Sequence, residues 1–394
     1  MPIDVRRLQD SAEFPAQVDV VVVGAGIVGS STAYELARKG VSVTLVDKGV
    51  VAGEQSGRNW GWVRQQNRDL TDVPYADVVV YRTPDDIPRL LLEACRADLV
   101  IKHSGVGSDD DLLEKEVLRC SSERTRVAFW DVDAPATLAR VEANPADYFR
   151  PLISDYDFIF TYGGGPPVVD HYRKLGAKNC FPIYNGLDPV THHPVVKDAS
   201  IECDLAFVGN RLPDRERRVE EFFIKAAEQA PEMKFLLGGE GWGSRSLPAN
   251  VRWIGHVGTS DHNRINCSAK MVLNINRESM ASVGFSPPTR VFEAAGAGSC
   301  LITDLWTGVE TFFVPGSEIL TASNAHDVVE CLRNTSAQEA RAIGSAMRQR
   351  ALRDHTYSLR AQEFEKIVSC SGTPAQAAER DLPSMEEARF GGAA

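Results

Sequence analysis

Residues 18–31 read VDVVVVGAGIVGSS, and Asp47 closes the next apolar run, VSVTLVD (41–47). An apolar strand enters a glycine turn, a helix opens behind it, and an acidic residue ends the following strand. That order is a βαβ unit of the dinucleotide-binding kind. Gly24 permits the tight turn, Gly26 lets a pyrophosphate approach the backbone, and Gly29 lets helix and strand pack closely. The helix N-terminus favours phosphate charge, and Asp47 is placed to accept from a ribose hydroxyl. The same glycines serve packing alone if the unit is architectural. Gly24, Gly26, Gly29 and Asp47 are therefore cofactor-binding candidates only if the fingerprint is functional.

Outward from this stretch, short apolar runs alternate with amphipathic helical patterns. Strands are expected at 18–23, 42–47, 76–81, 98–102, 125–131, 156–161 and 179–183, with helices such as 27–39 and 85–96 between them. A second series opens at CDLAFVGN (203–210) and continues near 234–238, 251–255, 271–276, 300–303 and 318–321. Such alternation means parallel sheets covered by helices. Between the series, YNGLDPVTHHPVVKDAS (184–200) lacks helical periodicity and reads as a linker. The fold class expected is α/β, with two Rossmann-like domains facing a cleft and ligands at the carboxyl ends of the strands. The expected divisions are a flexible N-terminus (1–17), the βαβ unit (18–69) integrated into an N-domain completed by 70–190, a second domain (191–370), and a disordered tail (371–394).

The chain has 394 residues and a formal net charge of −11. That argues against nucleic acid and anionic membranes as partners, while leaving room for a local basic pocket. Its 8 cysteines include no CxxC pair, which points to reduced thiols and a cytoplasmic location. The start, MPIDVRRLQDSAEFPAQ, is too polar for a signal peptide. No run reaches the ~18 apolar residues of a membrane span.

Two stretches of the second domain carry phosphate chemistry. DLAFVGNRLPDRERRVEEFF (204–223) is a strand, a glycine turn and a helix start bearing Arg211, Arg215, Arg217 and Arg218. Helix dipole and guanidinium groups together suit a diphosphate, with Arg217 and Arg218 read as a solvated face. In NINRESMASVGFSPPTRVFEAAGAGSC (274–300), Ser286 suits an N-cap and Pro287 a first helical residue. Thr289, Arg290 and Glu293 then lie near the helix start, an arrangement suited to an anion with ribose hydroxyls a turn further on.

In the first domain, His103 follows the strand ADLVIK and is either a base for an acceptor hydroxyl or a solvated loop histidine. Asp131 and Asp133 invite a metal reading, but Asp133 precedes Ala134-Pro135 and reads better as a helix cap. TYGGGPP (161–167) is either a close backbone approach to a ligand or a tight turn. Trp60 and Trp62 read as structural or partly exposed rings, and His192-His193 as a hinge pair. No metal site is expected.

Residues 18–69, continuing through GVVAGEQSGRNWGWVRQQNRD, resemble the N-terminus of FAD-dependent oxidoreductases of the D-amino-acid-oxidase type. From about 70 to 370 the chain resembles GT-B glycosyltransferases of the spore-maturation, CgeB-like type. The marks are YADVVVYRTPDD, ADLVIKHSG, FWDVDAPATL, DFIFTYGGGPPVVDHYRKLGA, FVGNRLPDR, INR, SPPTRVFEAAGAG, TDLWTGVETFF, PGSEIL and RDHTYSLRAQEF. This resemblance implies sugar transfer from a nucleotide-sugar to an unidentified acceptor, with no cofactor or obligatory metal. It implies that Glu293 holds the ribose and that Arg290 with the 287–290 amides holds the diphosphate. Gly209, Asn210 and Arg211 would flank the phosphates, and Arg215, Arg277, Pro287 and Thr289 complete the donor-binding set. His103 and Asp133 are the catalytic candidates. The commoner GT-B pattern has a second Glu where this chain has Phe285, which leaves the retaining or inverting outcome open. The resemblances meet near NRDL (67–70), so the flavin-like unit is expected in the first βαβ position of a hybrid N-domain. An FAD-dependent oxidoreductase, with FAD as its cofactor, and a non-catalytic nucleotide-binding module are the competing readings.

Overall fold

The computed structural model describes residue 15 and residues 17–24, 27–47, 77–80, 83–105 and 109–370. Gly26, the Asp47 carboxylate, Trp60, Trp62, the 67–70 junction, the first fourteen positions and the 371–394 tail lie outside that description.

The first sheet holds β1 (Val20–Val23), β2 (Val43–Asp47), β3 (Asp77–Val80), β4 (Leu99–His103), β5 (Arg126–Asp131), β6 (Phe158–Thr161) and β7 (Cys180–Pro182). Their order is β3-β2-β1-β4-β5-β6-β7, and every pairing is parallel. Val20 pairs with Val43 on one side and Leu99 on the other, so β1 is central. This explains why VVVV is apolar without alternation: a parallel strand is covered on both faces. The second sheet holds β8 (Cys203–Val208), β9 (Phe235–Gly238), β10 (Val251–Trp253), β11 (Ala269–Asn274), β12 (Leu301–Asp304) and β13 (Leu320–Ala322), in the order β10-β9-β8-β11-β12-β13. It too is parallel throughout. In each sheet the strand order reverses beside its first strand, at β1/β4 and at β8/β11. Crevices for ligands open at such switch points.

The βαβ unit expected at the start is thus built into the larger sheet. Gly24 has φ +105, and a Cβ on Gly29 would stand 1.9 Å from the Gly24 carbonyl oxygen. The helix Ile27–Arg38 can lie this close to β1 only because residue 29 has no side chain. The fold needs that contact with or without a dinucleotide.

One face of the first sheet, through Val21, Val100, Phe129 and Ile159, packs in the core with Leu90, Val168 and Tyr172. The other, through Val22, Ile101, Trp130 and Phe160, packs with Ala33, Leu36 and Phe364. Phe364 belongs to the last described helix, Tyr357–Cys370, which returns from the second domain. Its ring lies 5.4 Å from Trp130 and 5.0 Å from Phe160. The return path touches the outgoing linker, where Leu187 N donates to His355 O (2.6 Å) and Tyr357 N to Leu187 O (3.1 Å). Gly186 makes room for this crossing, since a Cβ there would meet the Thr356 carbonyl carbon at 2.9 Å.

The linker is therefore one of two crossing segments that lie against each other. His355, buried at the crossing, takes a hydrogen bond from Arg360 at Nδ1 (2.9 Å) and faces Phe312 O through Nε2 (2.9 Å). Burial and then the Arg360 charge push its pKa down to about 4.

Candidate active site

The residues expected to bind a donor begin at the carboxyl end of β8. Gly209 follows the strand, where a Cβ would crowd the Phe207 ring at 2.8 Å and Arg215 at 2.9 Å. A Cβ on Gly239 would meet Gly209 O at 2.3 Å, and Trp242 Nε1 donates to that oxygen at 2.7 Å. Two glycine loops thus touch backbone to backbone. Asn210 Oδ1 accepts from Glu240 N at 2.8 Å. Arg215 is buried and donates to Asn210 O at 3.1 Å. Its guanidinium lies 5.7 Å from the Phe207 ring centre, and that of Arg290 lies 5.3 Å from the same ring. Both cations lie against one aromatic ring. Arg290 makes no ion pair among the described residues, and burial holds its pKa below the ordinary arginine value.

The helix carrying Arg290 and Glu293 runs Thr289–Ala297, with Pro288 as its N-cap. This corrects the expected start at Ser286 and Pro287. Pro287 and Pro288 have no N–H, so of the 287–290 amides only those of Thr289 and Arg290 can donate. Arg211 also departs from expectation. It pairs with Glu216 at 2.6 Å and reaches Ser244 at 3.4 Å, along its own domain's surface. Arg218 is no solvated side chain either, because it grips the buried Asp304 at 2.6 Å. Arg217 is exposed and pairs with Glu278 at 3.1 Å.

Glu293 is 4% exposed. Its Oε2 lies 3.1 Å from His262 Nδ1, while Oε1 is buried with no hydrogen-bond partner among the described residues. Burial opposes its ionisation, yet the His262 hydrogen bond and the charges of His262, His192 and Arg290 outweigh burial and hold its pKa below the ordinary value. His262 was not among the sequence candidates. It sits on Thr259–Ser268, whose sequence TSDHNRINCS matches no motif. His192, read as a hinge residue, lies beside this group, its ring 6.4 Å from that of His262.

The domains meet beside the Thr289–Ala297 helix. Gly164 N donates to Ser286 Oγ at 2.8 Å and to Phe285 O at 3.0 Å. A Cβ on Gly163 would meet Ser286 Oγ at 2.7 Å, and one on Gly165 the Phe285 side chain at 2.7 Å. The glycine run of TYGGGPP is thus a close backbone approach to the other domain. Ser286 serves it rather than capping the helix. Phe285 has φ 45, a left-handed backbone held in place by these contacts. Arg277 reaches Asp133 across the same boundary at 3.5 Å. Asp133 occupies the N-cap position of Ala134–Ala143, but its side chain makes no cap hydrogen bond.

His103 is neither a solvated loop histidine nor a poised base. It is 6% exposed, stacks on Trp130 at 5.3 Å, and among the described residues neither ring nitrogen has a hydrogen-bond partner. Burial and then the Lys102 charge push its pKa down to about 3, so the ring is neutral and a weak proton acceptor. Lys102 itself is fastened to Asp110 at 2.7 Å. Asp131 is consumed by Tyr172 OH at 2.5 Å, Asp133 N at 3.0 Å and Thr137 Oγ1 at 3.1 Å, which removes it as a metal ligand. Among the described residues no cluster of three or more His, Cys, Asp or Glu can hold a metal. No helix among them is long and apolar enough to cross a membrane.

The buried histidines make stability depend on acid. His103 and His355 have folded values near 3 and 4, below the ~6.5 of an unfolded histidine. The unfolded chain therefore binds more protons, and stability present above pH ~6.5 is lost as pH falls below it. Glu114, raised to about 7 by burial, works the other way and offsets about one histidine. For these three groups the net loss from pH 6.5 to 5 should be about 1.5 kcal/mol. Denaturant unfolding at several pH values measures it. His355→Gln, which cannot titrate, should flatten the slope, and an unchanged slope would contradict this assignment.

Comparison with known proteins adds the following. Residues 215–366 match the family described as glycosyl transferase-like, and residues 19–147 match the FAD dependent oxidoreductase family. The second match runs past residue 69, where the flavin-like resemblance was expected to end. No curated protein matches the chain. Anabaena HepE (Alr3699), solved in complex with UDP-glucose, superposes with TM-score 0.64 at 11% identity, covering 90% of this chain and 100% of HepE. Sucrose-phosphate synthase from Thermosynechococcus elongatus gives 0.61 at 12%, covering 90% and 99%. A glycosyltransferase from Rickettsia africae gives 0.60 at 10%, covering 90% and 98%.

Proposed function

We propose that this chain, a two-domain α/β protein with the GT-B architecture of glycosyltransferases, transfers a sugar from a nucleotide-diphosphate sugar to an acceptor. One observation carries the reading. Arg215 and Arg290 converge on Phe207 at the start of the Thr289–Ala297 helix, and Glu293 follows on that helix with an unsatisfied buried oxygen. Two guanidinium groups and two terminal amides suit a diphosphate. A carboxylate oxygen without a donor suits a ribose hydroxyl. Stabilising the diphosphate as it leaves then supplies most of the catalysis. HepE, a structural neighbour, is recorded with UDP-glucose, which makes a uridine donor the first to test. The narrower CgeB-like reading rests on the quoted motifs alone.

The flavin-like segment is read as scaffold. The Gly24–Gly29 contact is a packing requirement whatever binds there, and the proposed nucleotide site lies in the second domain. The test is a thermal-shift series with UDP, GDP, dTDP and FAD, followed by UDP-glucose hydrolysis. At 100 times its Kd, a true donor nucleotide adds about 2.7 kcal/mol of stability. A rise with UDP or GDP supports the reading. A rise with FAD alone, together with flavin absorbance in the purified protein, would replace it with the oxidoreductase.

A further inference from the structure

Three polar groups surround one spot on the donor helix, and two of them have unsatisfied atoms. Among the described residues Glu293 Oε1 is buried without a hydrogen-bond partner, and His192 Nδ1 has none of good geometry, with the Asn263 side chain beside the ring. The third, His262, bonds only the other carboxylate oxygen, at 3.1 Å. Both side chains of that pair are nearly closed off, at 13% and 5% exposed. The arrangement is built by packing. Thr259–Ser268 brings His262 to the Thr289–Ala297 helix. Gly296 lets the linker carrying His192 lie on that helix, since a Cβ there would meet His192 O at 2.5 Å and His192 Cβ at 2.9 Å.

A buried carboxylate oxygen and a buried imidazole nitrogen, both lacking partners of good geometry, are costly in an empty protein. A vicinal diol removes both costs, because one hydroxyl donates to the carboxylate and its neighbour bonds the imidazole. We infer that Glu293, His192 and His262 form a diol pocket in which His262 is a positioning residue: it holds Oε2 so that Oε1 faces the sugar hydroxyl. His192 supplies the second contact. The inference rests on the glycosyltransferase reading and extends it, by making discrimination between ribose and 2′-deoxyribose depend on His262, a histidine outside the motif that carries Glu293, with His192 on the neighbouring hydroxyl.

The test compares calorimetric affinities for UDP and 2′-deoxy-UDP, and for GDP and 2′-deoxy-GDP, in wild type, His262→Ala, His262→Asn and His192→Leu. Wild type should prefer the ribonucleotide about tenfold or more, the worth of one lost charged hydrogen bond. His262→Ala should bring the ratio to within about twofold while leaving 2′-deoxynucleotide affinity unchanged, which also shows that the variant folds. His262→Asn, which restores a donor to Oε2, should recover much of the preference. His192→Leu should lower ribonucleotide and 2′-deoxynucleotide affinity alike, because the 3′-hydroxyl left to His192 is present in both. Equal losses for both nucleotides in His262→Ala, or no preference in wild type, would overturn the diol pocket alone. If wild type binds none of the four nucleotides, the glycosyltransferase reading falls, and this inference with it.

Discussion

Glu293→Ala should lower kcat/KM for the donor about 100-fold, with the fold intact. The side chain is almost fully buried, so its removal deletes the proposed hydrogen bond to the ribose and leaves His262 Nδ1 without its partner. Losing a charged hydrogen bond and stranding a buried partner costs about 1.5–3 kcal/mol, or about 10- to 150-fold in binding. The loss should appear in donor affinity, because a pentose contact remote from the transferred sugar stabilises ground and transition states alike. Glu293→Gln keeps the shape and a hydrogen-bonding group, and should lose less. Turnover and donor titration on both variants measure this. Wild-type donor affinity in Glu293→Ala would remove the carboxylate from the site and take the proposed function's main support with it.

Gly29→Ala should destabilise the protein by about 3 kcal/mol, the cost of forcing one methyl into a packed backbone contact. A Cβ at that position overlaps the Gly24 carbonyl oxygen at 1.9 Å, and backbone cannot rotate away as a side chain can. Gly40→Ala is the control. Gly40 also has a left-handed backbone, φ +83, but no atom lies within 4 Å of its Cβ position. Its cost should be about 1–2 kcal/mol from backbone strain alone. Denaturant unfolding without any added nucleotide measures both. A purely cofactor-binding glycine would leave the stability of the ligand-free protein unchanged, so a wild-type value for Gly29→Ala would overturn the scaffold reading.

Both effects bear on what the sequence could reveal. The strands were legible because parallel sheets leave unbroken apolar runs such as VVVV at 20–23 and LVI at 99–101. Helix ends were less so. Ser286 and Pro287 obey local capping rules, but Ser286 is drawn away by the Gly164 amide of the other domain. Arg211 and Arg218 look alike in RLPDRERR, and only their carboxylate partners, Glu216 and Asp304, separate them.

The sequence by itself determined the two parallel sheets, the glycine turn of the first βαβ unit, and the placing of Arg290 and Glu293 near one helix start. These depend on periodicity and on spacings of a few residues. Tertiary structure alone decided that Phe207 gathers Arg215 and Arg290, that His103 is buried and neutral, and that His192 and His262 attend Glu293. Those pairings join positions far apart along the chain, and no local preference encodes a contact whose energy exists only once separate elements have packed.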